Sequence, residues 1–296
     1  MEILASIFCP ETEHKIRLCD FLVGKFEDLP TKSSCRKAIQ QKRILVDGKT
    51  VSRAAWMLPG SRIDLILDPN KLPKMFELKL KLLYEDEYLA VIQKPAGFAV
   101  SGNFFKTIQN ALAFNLKSSS LKDALLMPRP VHRLDKDTSG LLLIAKSYTC
   151  LRKLQDQFKA SEIIKKYYAI VTGDTDAEGL IDQPIDGKHS RTKFSLLQQV
   201  DNLHHGKLSL IKIDLLTGRK HQIRIHFSSR GVPVAGDKLY GVPGNTMKHK
   251  GLFLIAYHLE FVHPINLKNL SFELDLPYKF KAYMSRSQKQ FLKYSR

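Results

Sequence analysis

Two aspartates, Asp135 and Asp137, and two cations, Arg133 and Lys136, crowd the start of the stretch HRLDKDTSGLLLIAK (residues 132–146), where a Thr-Ser-Gly turn gives way at once to an apolar strand. A turn uses Asp, Ser and Gly for backbone reasons of its own. It has no need of Arg133 two residues before Asp135. An unperturbed Asp, pKa ~3.9, is already ionised at pH 7, so a cation beside it is superfluous in an open site. The cation matters once a ligand covers the site. Burial can raise a carboxylate's pKa by up to ~3–5 pH units, and an arginine in contact can offset ~1–3 of them. An aspartate attended by arginines therefore fits a nucleophile that must stay charged beneath a bound group. Asp137 is read as a loop or cap residue, because a glycosidase-like carboxylate pair needs its two groups on separate elements flanking the bond.

Two further segments carry more polar chemistry than structure requires. In KKYYAIVTG (165–173) a strand turns Tyr167 and Tyr168 to opposite faces. One can pack in the core while the other stacks on a planar base. In TGRKHQIRIHFSSRGVPVAGDKLYG (217–241), Arg219, Arg224 and Arg230 stand among glycines and histidines. His221 and His226 are five apart, a spacing that splays them in helix or strand, unlike the i,i+4 pair of a zinc helix. No metal is expected.

The elements that must position these residues alternate. YEDEYLAVIQKPAG reads as a strand ended by Pro-Ala-Gly, GLLLIAKS as a continuous apolar strand, and KYYAIVTG and LSLIKIDLLTG as two more. SYTCLRKLQDQFKAS sets Leu151, Leu154 and Phe158 at helical spacing. HQIRIHFSSRG alternates like a strand, but Gly231 and Pro233 form a helix stop, so a helix is expected. The mixture predicts an α+β fold: a large domain around a mixed, mainly antiparallel sheet.

The N-terminal part is a smaller α/β module. IRLCDFLVGKF sets Ile16, Cys19, Leu22, Val23 and Phe26 at helical spacing, and Asp28-Leu29-Pro30-Thr31 breaks it. A second helix, capped by Ser33 or Ser34, is expected through residue 43, with Lys32, Arg36, Gln40 and Arg43 on one face. ILVDGKTV follows as two short strands about Asp47-Gly48. The prolines and lysines of DPNKLPKMFEL read as a linker. The expected domains are residues 1–67, a linker over 68–78, a catalytic domain over 79–282 and a basic tail over 283–296, either a disordered contact or a frayed end.

With 296 residues, 44% of them hydrophobic, the chain can bury a substantial core. Its four cysteines are scattered without a CxxC pair, which argues against structural zinc or a disulfide framework and suits a reducing compartment. No apolar run approaches the ~20 residues of a membrane span, and the N-terminus lacks the order of a signal peptide. A soluble, cytoplasmic protein is expected, with a monomer as the default. The net charge of +18 far exceeds what solubility asks and points to a polyanionic partner, nucleic acid above all.

Residues 14–67 resemble the small S-four-type RNA-binding domain in RLCDFLVGKF, LPTKSSCRKAIQQKRILVDGKTV and MLPGSRIDLI. The resemblance implies that Lys32, Ser33, Ser34, Arg36 and Lys37 face an RNA backbone. LYEDEYLAVIQKPAG, HRLDKDTSGLLLIAKS, KKYYAIVTG and LLTGRKHQIRIHFSSRGVPVAGDKLYG resemble, in that order, the RluA-type pseudouridine synthase family over about residues 80–265. It implies Asp135 as the catalytic residue and Arg133 as the residue that helps hold the target nucleotide out of its stack. It also implies Tyr167 as the active-site tyrosine, Arg224 as the arginine paired with Asp135, and chemistry without cofactor or metal. The chain departs from the family pattern at Gln93 and at Leu254-Ile255-Ala256. The activity implied is isomerisation of uridine to pseudouridine in structured RNA by base flipping, with large-subunit (23S) ribosomal RNA ahead of tRNA as substrate. Two competitors remain. A non-catalytic RNA-binding or ribosome-assembly factor would share the scaffold, and a base-excising glycosylase would share the aspartate and the flipped base.

Overall fold

The computed structural model describes residues 3–11, 16–26, 29–66, 75–242 and 251–295. The chain divides into two units, Met1–Lys74 and Met75–Arg296, and residues 68–74 of the expected linker lie outside the described residues.

The smaller unit runs β1 (Ile3–Phe8), α1 (Leu18–Phe21), α2 (Lys32–Gln40), β2 (Ile44–Val46), β3 (Lys49–Thr50) and β4 (Arg62–Ile66). Its antiparallel sheet has the order β1-β4-β2-β3. Cys19, Leu22, Phe26, Cys35, Ala38, Ile39, Ile44 and Ile63 share one core. Three expectations are corrected here. The first helix is only four residues long, because Ile16 and Arg17 are drawn into extended pairing with Ala55–Met57 and Gly24 turns the chain at φ +71°. The second helix is capped by Thr31, whose hydroxyl accepts from the Ser34 N–H while the Ser34 hydroxyl accepts from the Thr31 N–H. It ends at Gln40. Arg43 therefore leaves the basic face and is buried, with its Nε donating to the Ile66 carbonyl at 3.3 Å.

The larger unit runs β5 (Lys81–Glu85), β6 (Leu89–Lys94), α3 (Ile108–Asn115), β7 (Ala124–Pro130), β8 (Ser139–Ser147), α4 (Tyr148–Lys159) and β9 (Ile164–Thr172). It continues through β10 (Glu178–Asp182), β11 (Arg191–Asn202), β12 (Gly206–Leu215), α5 (Gln222–Ser229), β13 (Leu254–Val262), β14 (Asn269–Glu273) and α6 (Tyr278–Tyr294). Its 10-stranded sheet follows β10-β11-β12-β9-β13-β8-β6-β5, with β14 beside β13 and β7 beside β8. Among the described strands only the β13–β8 pairing is parallel, which makes this the mixed, mainly antiparallel sheet of an α+β fold.

Period-two alternation sends each central strand's side chains into two separate cores. From β8, Leu141, Leu143 and Ala145 join Cys150 and Leu154 of α4 and Phe280 and Met284 of α6. Leu142 and Ile144 point the other way, to Ile108 and Leu112 of α3 and Ile223 and Phe227 of α5. A strand buried on both faces needs no polar alternation, which is why GLLLIA is continuously apolar. Each fully buried Leu or Ile contributes roughly 1.5–3 kcal/mol. At the parallel seam Gly140 has φ +125°, and a Cβ there would lie 2.2 Å from the Ala256 carbonyl oxygen, so β13 passes this close only because the residue is glycine.

The C-terminal residues are not a frayed tail. Residues 278–294 form one helix that buries Phe280, Met284 and Ser287, and the Asn202 amide donates to the Ser287 hydroxyl at 2.5 Å. The apolar and small residues recur at steps of four and three, enough to dock the helix despite its surface charge.

Candidate active site

Asp135 sits in the loop between β7 and β8. Leu134, buried beside it, anchors the loop in the same core as Ile223 and Tyr167. The far side of the loop is clamped by Lys94 at the end of β6. Its ammonium donates to the carbonyls of Pro95, Lys136 and Thr138 at 2.9, 3.0 and 2.7 Å. Lys94 is fully buried, and that burial pulls its pKa down to about 8 against the opposing charges of Asp137 and Asp135. Because two of its three acceptors, the carbonyls of Lys136 and Thr138, lie just after Asp135 in the same loop, Lys94→Met should destabilise the protein by at least ~2 kcal/mol in urea unfolding, three carbonyls having lost a charged donor. Turnover should fall with it.

Arg224 projects from the first turn of α5. Its Nη1 lies 3.3 Å from Asp135 Oδ2, while Nε and Nη2 donate to Asp237 Oδ2 and Oδ1 at 2.6 and 2.8 Å. Asp237 is fully buried and its Oδ1 also accepts from the N–H groups of Leu239 and Tyr240 at 2.9 and 3.0 Å. The bidentate pair leaves the guanidinium one orientation, with its remaining nitrogen aimed at Asp135. Burial opposes the Arg224 charge, but the hydrogen bonds and charge of Asp237, then those of Asp135, outweigh it and hold its pKa raised.

His221, which precedes α5, has φ +56°, a conformation that costs a non-glycine residue of order 1 kcal/mol. Its Nδ1 lies 2.9 Å from the Tyr240 hydroxyl and its Nε2 3.6 Å from Asp135 Oδ1. Burial lowers its pKa, Asp135 partly opposing, so the imidazole is neutral at pH 7. Gln222 locks the approach to the helix: it accepts from the Thr217 hydroxyl and the Arg219 N–H and donates to the Arg191 carbonyl and the Thr192 hydroxyl. His226 is turned away, bonded to Thr192 and to the Gln183 carbonyl.

Asp135, His221, Gln222 and Arg224 wall a cavity of about 300 Å³, lined also by Arg133, Lys165, Tyr167, Leu215, Ile223 and Leu254. That is the small end of the range for small-molecule sites. Tyr167 is 7% exposed, and burial first, then the Asp135 charge, push its phenol pKa well up, so it is a neutral hydroxyl. Tyr168 faces the other core, stacked on Tyr257 at 3.7 Å. His132 accepts from the Leu143 N–H at 3.1 Å. Burial, with Lys165 nearby, drops its pKa to about 3. Lys165 holds its ammonium 5.2 Å from the Phe158 ring, and burial lowers its pKa as well. Arg133 is exposed at the cavity wall.

The structure thus brings Asp135, Arg224, Tyr167 and Arg133 to one cavity. Asp237, Lys94, His221 and Lys165 were not singled out from sequence as site residues. Asp237 stood in the polar run GDKLYG and Lys94 in QKPAG, but nothing local indicates their partners. In the smaller unit, Ser33, Arg36 and Lys37 are exposed on α2. Lys32 instead pairs with Asp20 at 2.6 Å, and the Ser34 hydroxyl is engaged in the helix cap.

Residues 88–229, which carry the Asp135 loop, Tyr167 and Arg224, match the model of the RNA pseudouridylate synthase family. An uncharacterized RNA pseudouridine synthase of Aquifex aeolicus is 33% identical over 297 residues, covering 91% of this chain and 93% of that protein. The chain belongs to the RNA pseudouridylate synthase family. Ribosomal large subunit pseudouridine synthase C of Vibrio cholerae is 32% identical over 297 residues, covering 88% of this chain and 89% of that protein. The solved structure of human RNA pseudouridylate synthase domain containing 1 has the same fold, with a TM-score of 0.57 at 23% identity over 68% of this chain and 84% of that one. The protein is therefore a pseudouridine synthase of RluA type. Within the departure at Leu254-Ile255-Ala256, Leu254 lines the cavity while Ile255 faces the opposite core.

Proposed function

We propose that this pseudouridine synthase isomerises particular uridines of structured ribosomal RNA, that of the large subunit first, with Asp135 as the nucleophile. The observation that carries the reading is a partly exposed carboxylate, 16% accessible, held on a cavity wall by an arginine whose own orientation is locked from behind. The enzyme swings the uridine out of its stack at a cost of a few kcal/mol, with Arg133 at the mouth holding it out. Asp135 then attacks, or stabilises, the sugar or the base as the C1′–N1 bond breaks. The uracil turns, C1′ bonds to C5, N1 takes a proton, and the C5 proton leaves, so the product is an isomer. A neutral phenol in a buried site is a poor base. Tyr167 therefore orients the uracil, and the freed Asp135 carboxylate takes the C5 proton. Lys165 and neutral His221 offer hydrogen bonds to the uracil carbonyls.

The smaller unit is assigned, on the same reading, to binding the RNA backbone through Ser33, Arg36 and Lys37, with Lys32 following once its ion pair yields to phosphate. The large-subunit assignment is supported by the name of the Vibrio cholerae relative. The deciding experiment uses RNA carrying tritium at uridine C5. Tritium release without free uracil is expected. Free uracil would mean a glycosylase, and neither product would leave an RNA-binding factor. Comparing modified positions in cellular RNA with and without the protein then identifies the uridine.

A further inference from the structure

The outer face of α6 presents cations that the catalytic cavity does not use. Between Tyr278 and Tyr294 the helix carries Lys279, Lys281, Arg286, Lys289 and Lys293, and no Asp or Glu. Lys279 serves the fold: its ammonium donates to the Leu252 carbonyl at 2.9 Å and lies 4.7 Å from the Phe253 ring. Arg286, Lys289 and Lys293, at steps of three and four, instead line a shallow outward depression with Tyr278 and Tyr294 at its ends. The two tyrosines are 84% and 62% exposed. Among the described residues these three cations make no ion pair with a carboxylate. Like charges at i,i+4 destabilise a helix surface. The helix dipole favours cations in the last turn alone, so it accounts for Lys293 and not for the row. Basic amphipathic helices also lie on membranes, but that needs a free apolar face. Here Phe280 and Met284 are already buried against the sheet.

We infer that this face is a second RNA-contacting surface, outside the Asp135 cavity, which grips phosphates flanking the target while Tyr278 and Tyr294 offer stacking platforms. It rests on the reading that structured RNA is the substrate. The test is the full-length triple variant Arg286→Gln, Lys289→Gln, Lys293→Gln, titrated with a structured uridine-containing RNA over a range of salt. Loss of three phosphate contacts should reduce the slope of log Kd against log salt by about 2–3 and weaken binding at least ~10-fold at low salt. Turnover at saturating RNA should stay within about twofold, the changes being at exposed positions. A second variant, Tyr278→Ala, Tyr294→Ala, should weaken binding without altering the slope. An unchanged affinity and salt slope in the triple variant overturns the inference, as does loss of binding to anionic phospholipid vesicles in place of RNA. Failure of the wild-type protein to release tritium would instead overturn the functional reading and leave the α6 result standing.

Discussion

Asp135→Asn yields a folded protein that turns over at least ~10⁴-fold more slowly, a loss in the range seen when a nucleophile is removed from a working site. The substitution keeps the shape and hydrogen-bonding capacity of the side chain, so Arg224 can still bond to it while remaining paired with Asp237. What disappears is the negative charge and the lone-pair reactivity. RNA affinity should stay within about threefold, a change under 1 kcal/mol, because the proposed phosphate contacts lie elsewhere. Asp137→Asn is the control. It removes an exposed carboxylate two residues away, and turnover should change by no more than about threefold. Single-turnover tritium release and an RNA titration, run on both variants, check the pair. If Asp135→Asn retained wild-type turnover, the nucleophile would have to be sought elsewhere in the cavity.

Asp237→Ala should be the most damaging substitution for stability. Removing one partner of a buried ion pair leaves the other charge uncompensated, at a cost of ~3–5 kcal/mol. Arg224 would lose the two hydrogen bonds that aim it, and the N–H groups of Leu239 and Tyr240 would lose their acceptor. The effect carries a pH signature. Burial raises the Asp237 pKa, but the Arg224 hydrogen bond, the Tyr240 and Leu239 N–H groups and the Arg224 charge more than reverse this, leaving it below the ordinary value. A carboxylate depressed in the folded state contributes stability that is complete above its unfolded pKa, ~3.9, and is lost as pH falls through the folded value. The wild-type minus variant difference in urea unfolding should therefore be flat across neutral pH and shrink only below about pH 4. A difference that persisted undiminished into strong acid would show that the ion pair is not its source. Activity should fall in parallel, since Arg224 would no longer be held toward Asp135.

Local pattern carried much of this fold because local physics dictates it. Continuous apolarity in GLLLIA, alternation in KYYAIV and 3–4 spacing in CLRKLQDQF each reflect one periodicity and became β8, β9 and α4. HQIRIHF fits both periods, and the stop at Gly231 and Pro233 identified it correctly as helix. Misreadings arose where tertiary pairing overrode propensity. Ile16 and Arg17 left a helical pattern for an extended pairing, and the charged C-terminal run hid a docking face of Phe280, Met284 and Ser287.

The sequence by itself determined that Asp135 lies in a turn before a core strand, that Tyr167 and Tyr168 must face opposite ways, and that the surface is strongly basic. These are properties of a few neighbouring residues and of total composition. Only the tertiary structure decided that Arg224 is held by Asp237 and that Lys94 ties down the Asp135 loop from a strand more than forty positions upstream. Each of those facts depends on which distant chain segment arrives beside which. A buried charge is tolerable only when its partner has been brought to within hydrogen-bond distance, and spacing along the chain does not encode that arrival.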